Sequence, residues 1–256
     1  MKKVAFITGA SKGIGLEIAR IHAAHGDDLV LSSRSLPDLQ EIKTKFENDY
    51  PVNVAIFAKD LSVTGAAEEL YHEIKEHHID VDYLINNAGF GDYGYFAATR
   101  LSRYNNMINL NISALTTLCH LFIRDWQGRK TGKILNVAST AAFQPGPKMA
   151  VYFATKAYVL NFSQAIGREL KKEGITVTAF CPGPTNTNFM DDSQMIVSRM
   201  VAGRKLPAPE EVAQCAYTAM IRGKSVAIHG TMNRLLANLN RFVPRNWATA
   251  VSDKLL

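Results

Sequence analysis

Tyr152 and Lys156 stand four positions apart in "VYFATK" (151–156), and the spacing predicts a helix on which both side chains share one face a turn apart. A phenol titrates at about 10, and a cation beside it stabilises the phenolate and makes the phenol a better acid. Such a pair could deliver a proton nearer neutral pH, but the two residues alone do not say to what. Each residue alone also reads as structure, an interfacial aromatic or a solvated helix charge. The pair gains meaning from what the chain brings to the same place.

A second chemistry-bearing group is "TGASKGIG", comprising Thr8, Gly9, Ala10, Ser11, Lys12, Gly13, Ile14 and Gly15. It follows an apolar, β-rich run and opens a helical one. Glycines at such a junction let the backbone turn sharply, and they let a pyrophosphate approach the free N–H groups of the helix N-terminus. Glycine-rich turns also occur for structural reasons alone. The spacing here, GxxxGxG, departs from the commonest dinucleotide fingerprint, GxGxxG.

The elements that must position these groups are legible as alternating short and long segments. Strand candidates are "VAFIT" (4–8), "LVLSS" (29–33), "VNVAIFA" (52–58), "VDYLINN" (81–87), "KILNVAS" (133–139), "ITVTAFC" (175–181) and "SVAIHG" (225–230). Helix-length segments such as 14–26 and 36–50 carry apolar residues at helical spacing. Strands alternating with helices predict an α/β fold, a Rossmann-type doubly wound parallel sheet of about seven strands covered on both faces. In such sheets ligands sit beyond the carboxyl ends of the strands.

At 256 residues the chain is expected to form one domain, 1–256. Hydrophobic residues at 47% and charged residues at 20% describe an ordinary globular composition. The net charge of +6 is scattered, without a basic block or aromatic interleaving, so no nucleic-acid partner is expected. Cys119, Cys181 and Cys215 are widely spaced with no CxxC, which predicts neither a disulfide framework nor a zinc site and fits a reducing cytoplasm. His22, His25, His77 and His78 lack a matching ligand set, so no metal is expected. "MKK" runs straight into the first strand without a signal-like segment, and no apolar run approaches membrane-spanning length.

TGxxxGxG resembles the glycine turn of the short-chain dehydrogenase/reductase family, and further motifs follow in the family's order. "NNAG" (Asn86, Asn87, Ala88, Gly89) follows the fourth strand, Asp60-Leu61 the third, and Asn111 lies in "NLNISA". Ser139 ends the fifth strand, Tyr152 and Lys156 make YxxxK, and "PGPTNT" (182–187) follows the sixth. The resemblance covers about residues 1 to 230. It implies a catalytic set of Asn111, Ser139, Tyr152 and Lys156, in which Tyr152 donates the proton, the charges of Lys156 and of the oxidised nicotinamide lower its pKa, and Lys156 also holds the nicotinamide ribose. Ser139 would steady the carbonyl oxygen, and Asn111 would hold a water that relays protons to Lys156. It further implies a nicotinamide dinucleotide held by Gly9, Ser11, Lys12, Gly13, Ile14, Gly15, Asp60, Leu61, Asn87, Ala88 and Gly89. The loop residues Pro182, Gly183, Thr185 and Thr187 complete that set, with Thr187 ranked above Thr185 for side-chain contact.

Cofactor choice turns on "LSSRS" (31–35). Where an Asp or Glu would bind both ribose hydroxyls and repel a 2′-phosphate, the chain has Ser33 followed by Arg34. A guanidinium can grip that phosphate with two parallel charged hydrogen bonds, and Lys12 adds a second positive charge. NADP(H) is the expected cofactor, with reduction of a carbonyl, or oxidation of an alcohol, as the reaction. A non-catalytic nucleotide sensor or scaffold of the same fold is the alternative.

Two segments are left to substrate and partners. Residues 188–211, with Phe189, Met190, Met195, Ile196 and Met200, read as a lid over a hydrophobic small molecule, and Phe90, Tyr93, Phe143 and Met149 as further pocket wall. The C-terminal extension 232–256 alternates Arg with Leu, Phe and Trp. It could pack on its own subunit, make a homodimer or homotetramer contact, or lie on a membrane surface, with the first two favoured.

Overall fold

Neighbouring residues on the central strands bury side chains on opposite sides, and both members of each pair are apolar: Phe6 and Ile7, Val30 and Leu31, Leu84 and Ile85, Ile134 and Leu135. A strand apolar on both faces must be covered on both, as a parallel sheet with helical crossovers is. The computed structural model, which describes residues 2–187 and 206–256, has that sheet. Its strands are β1 (Val4–Thr8), β2 (Asp28–Ser33), β3 (Val54–Ala58), β4 (Tyr83–Asn86), β5 (Gly132–Val137), β6 (Ile175–Cys181) and β7 (Val226–Ile228). They lie in the order β3-β2-β1-β4-β5-β6-β7, with every neighbour parallel. The order reverses between β1 and β4, and the crevice at that switch point is where a doubly wound sheet binds ligands.

Helices α1 (Gly13–Ala24) and α2 (Leu36–Asp49) cover one face together with α7 (Pro209–Ile221). The opposite face is covered by α3 (Ala66–Glu76), α5 (Leu115–Gln127) and α6 (Ala150–Glu169). Among the described residues three α-helices remain: α4 (Leu101–Ile108), which leads into α5, and α8 (Thr231–Leu239) and α9 (Arg245–Leu255) at the C-terminal end. Trp126 anchors the α5 face. It is fully buried, its indole N–H donates to Val81 O at 2.8 Å, and Gly132 leaves room for its ring.

The strands expected from the sequence all form, several of them shorter than expected. Asn87 and Ser139 fall outside β4 and β5 because the chain has already turned off the ladder there to enter the crevice. Between α4 and α5 the chain winds one π-helical segment, Asn109–Ala114, so that Leu101–Gln127 is one continuous helical run. By length and composition alone that run could cross a membrane, as a buried core helix also could. Its Leu115, Leu118, Cys119, Phe122 and Trp126 are buried in the core layer beneath the sheet. Most of the expected lid, including Phe189, Met190, Met195, Ile196 and Met200, lies outside the described residues.

Candidate active site

The glycine turn is held by the motif after β4. Gly9 adopts φ +65°, and a Cβ there would stand 2.9 Å from Ala88 Cα, so both conformation and space call for glycine. A Cβ on Gly15 would overlap Gly9 O and Asn87 Nδ2. The Asn87 amide donates to Thr8 O and Gly9 O, both at 3.0 Å. The Thr8 hydroxyl accepts from Asn87 N and Ala88 N, both at 3.1 Å. Asn87 thus spends its side chain on the shape of the turn, and Gly15 on close packing beneath it. Asn87 lines the cleft with its side-chain amide already engaged, and Gly15 packs beneath the turn.

In front of the turn lies a cleft of about 1240 Å³. Gly9, Ser11, Lys12, Gly13, Ile14, Ser33, Arg34, Asp60 and Leu61 line one end. Ala88, Gly89, Ser139, Tyr152, Lys156, Pro182, Gly183, Thr185 and Thr187 line the other. The structure therefore gathers these residues from seven separate stretches of chain. Asp60 accepts from Ser62 N at 2.9 Å and Ser62 Oγ at 2.7 Å, which fixes the turn after β3. Arg34 is exposed at the end of β2, and among the described residues nothing pairs with it. Asp38, in the first turn of α2, lines the same end and is an acid the sequence reading did not weigh. The Thr185 hydroxyl donates to Gly183 O at 3.0 Å, whereas Thr187 lies against Gly13.

At the other end, α6 presents Tyr152 and Lys156 one turn apart, both buried. Lys156 Nζ donates to Val137 O at 2.8 Å, where β5 ends, and lies 5.8 Å from the centre of the Tyr152 ring. Ser139 caps a short 3-10 turn, with its Oγ accepting from Ala141 N at 3.1 Å. Asn111 sits in the π-helical turn, 1% exposed. Its Nδ2 donates to Phe90 O and Thr155 Oγ1, both at 3.0 Å, and its Oδ1 accepts from Phe90 N at 3.2 Å. Both amide hydrogens are thus spent within the protein, which leaves Asn111 only acceptor capacity for the expected water. The residue ties the loop after Gly89 to the α6 turn that carries Lys156.

The expected lowering of the phenol pKa rests on Lys156 together with the oxidised nicotinamide; in the protein alone, burial dominates both groups. Burial pushes Tyr152 up to about 12, against a downward pull from its hydrogen bond with Ser139. Burial also lowers Lys156 to about 8, because an ammonium loses its hydration there. Desolvation is therefore the largest influence on both groups in the protein alone. Tyr152 keeps its proton firmly at neutral pH, and Lys156 stays mostly charged but close to releasing its own.

The short chain dehydrogenase family model matches residues 3–195. The chain belongs to that family. Mus musculus 17-beta-hydroxysteroid dehydrogenase type 3 is 34% identical over 192 residues, which are 73% of this chain and 61% of its own. A short-chain dehydrogenase from Sphingobium yanoikuyae, solved in complex with NADPH, has 29% identity and a TM-score of 0.83 over 94% of each chain. The bulky-bulky ketone specific alcohol dehydrogenase from Comamonas testosteroni has 28% identity and a TM-score of 0.81, over 94% of this chain and 92% of its own. This short chain dehydrogenase is accordingly an oxidoreductase by family.

Several supporting residues of this dehydrogenase were not singled out by sequence. Asn86 Nδ2 donates to Asn136 Oδ1 across β4 and β5, and Asn136 Nδ2 donates to Ser163 Oγ on α6, both at 2.9 Å. This buried ladder bolts the strands to the helix that carries Tyr152 and Lys156. The available signal was an Asn in an otherwise apolar strand, with Ser163 seven residues after Lys156 and so on the same helix face. Of the expected pocket wall, Phe90 and Phe143 line the cleft. Met149 and Tyr93 instead pack with Tyr152, Phe153 and Leu256 in a small apolar cluster behind it, where the Tyr93 hydroxyl donates to Leu256 O.

Proposed function

We propose that the chain is an NADPH-dependent carbonyl reductase acting on a bulky, fairly hydrophobic ketone. The observation that carries this reading is the meeting of Tyr152, its hydrogen-bond partner Ser139 and the buried Lys156 in one cleft with the glycine turn. The cleft fits a dinucleotide on structural grounds. Gly9 and Gly13 both hold positive φ at the mouth of α1, which opens the turn to a pyrophosphate. At the far end Lys12 and Arg34 offer positive charge where β2 ends in Ser33, a donor set suited to a 2′-phosphate. The bound cofactor would supply the hydride.

The protein's own part follows from its groups. Ser139 and Tyr152 converge where a carbonyl oxygen would sit, and Ser139 donates to it as negative charge develops. Tyr152 gives up its proton to that oxygen. Its high pKa guarantees that the proton is present, and the charge on Lys156 beside the ring lowers the cost of the phenolate left behind. Phe90, Phe143, Phe153, Leu110 and Leu236 give the substrate end an apolar wall. Similarities to a hydroxysteroid dehydrogenase and to an enzyme specific for bulky-bulky ketones support the same substrate class. NADPH consumption followed with ketones, diketones, aldehydes, steroids and acyl thioesters tests the reading. Turnover confined to bulky ketones is expected, and tight NADPH binding without turnover of any carbonyl would favour a sensor.

A further inference from the structure

The C-terminal helix α8 is mounted with its apolar stripe facing outward. Met232, Leu235, Leu236 and Leu239 recur at the i, i+3, i+4, i+7 spacing of one helix face, yet they are 48–64% exposed. The opposite side holds the helix to the fold through Ala237, which is buried, and Asn233, whose Nδ2 donates to His229 O at 2.9 Å. Phe242, at 85% exposed, and Trp247, at 70%, extend the apolar ground beyond α8, and Val251 continues it along α9. Packing on its own subunit, one of the expectations for this extension, is seen at Ala237, Ser252 and Leu256, which are buried, and at Asn240, whose Nδ2 donates to Phe143 O.

The patch is continuous with the mouth of the cleft. Leu236, exposed on the stripe, is also a cleft-lining residue, with Asn233 and Ala237 beside it. The far end of α9 meets Tyr93 in the loop after β4, and Lys148 just before α6, whose Nζ lies 3.8 Å from Asp253. In the loop after β4, Tyr95 and Phe96 are again largely exposed.

Charge decides what covers such a surface. From Thr231 onward the sequence carries three Arg and one Lys against the single acid Asp253, and that acid is paired with Lys148. Arg234 and Lys254 are exposed. In a two-fold contact between copies the same patch meets itself, so these like charges would be brought together. An anionic lipid surface answers both features, because it accepts apolar side chains at the acyl boundary and attracts the basic residues around them.

We infer that α8 and the start of α9 dock the protein on an anionic lipid surface with the cleft mouth at the interface, so that a hydrophobic carbonyl compound can enter from the lipid. The surface itself does not depend on the reductase reading. The test is flotation of the full chain with vesicles of phosphatidylcholine alone and of phosphatidylcholine with phosphatidylglycerol, at low and high salt, beside light scattering for oligomeric state. Flotation with the anionic vesicles at low salt is expected, weakened by salt. Arg234→Glu should weaken it roughly ten-fold, since each basic residue near the surface contributes a comparable attraction and the reversal adds a repulsion. The double variant Leu235→Ser/Leu239→Ser should abolish flotation while retaining NADPH binding and helical circular dichroism. A wild-type protein that stays soluble with anionic vesicles at low salt overturns the inference, as does equal flotation with both vesicle types. A stripe variant that turns a dimer into a monomer while wild type ignores vesicles assigns the face to a second copy. Because flotation needs no turnover, failure of the surface and failure of the reductase reading are separable.

Discussion

Replacing Lys156 with methionine should stabilise the cofactor-free protein below about pH 8 and progressively less above it. The side chain is 5% exposed, and burial lowers its pKa from 10.5 to about 8. At about 1.4 kcal/mol per pH unit, that difference corresponds to about 3 kcal/mol of stability lost by keeping a charged ammonium in the interior. Below the folded value both folded and unfolded chains hold the proton, so the whole cost weighs on the fold. Between about 8 and 10.5 the unfolded chain binds a proton that the folded one releases, and stability rises with pH. Above that range both forms are neutral and the cost is gone. Methionine keeps the stem and removes the titration. It also removes the hydrogen bond to Val137 O, a loss of about 1 kcal/mol that offsets the curve without giving it this pH dependence. Urea unfolding of both proteins without cofactor, from about pH 7 to about pH 10, reads the gap directly. Parallel stability curves for the two proteins would refute the claim that Lys156 is held in the interior at a cost in stability.

Arg34→Ala should weaken NADPH by roughly ten-fold or more, the loss of a charged phosphate contact, and leave NADH almost unchanged in a fluorescence titration. In assays at saturating NADPH, kcat/KM for carbonyl reduction should fall as pH rises above about 8, because Lys156 then loses the charge that stabilises the Tyr152 phenolate. Rising activity across that range would contradict the role given to Lys156. Trp126→Ala should cost about 3–5 kcal/mol in urea unfolding, since it empties a fully buried site and leaves Val81 O without its indole partner.

Much of this architecture was legible because its causes are local. Runs such as "VAFIT" and "ITVTAFC" announce strands by composition, and they form over the residues read from sequence. The chemistry of Tyr152 and Lys156 was legible in type and spacing because a helix fixes which residues share a face. Their charge states were not, because these depend on burial, which only the assembled fold supplies. The π-helical turn at Asn111 was equally hidden: one widened turn leaves no mark on the apolar period of 101–127. Asn87 illustrates a third limit. Its place in "NNAG" suggested a ligand contact, but only the fold shows its amide turned back onto Thr8 O and Gly9 O. For α8 the stripe itself was readable, and the side on which it faces was not, since an amphipathic period is the same whether its apolar face meets core or solvent.

The central claim is that Tyr152 is the proton donor for a hydride transfer in this cleft. Its most direct test is a single turnover of the NADPH complex of Tyr152→Phe with a bulky ketone that the wild type reduces, alongside NADPH binding measured separately. The phenylalanine ring keeps the packing against Phe153 and Met149 while the transferable proton is gone. The account predicts NADPH affinity within about two-fold of wild type and a rate at least ~10²-fold slower. A variant that binds NADPH normally and reduces the ketone at half the wild-type rate would contradict it.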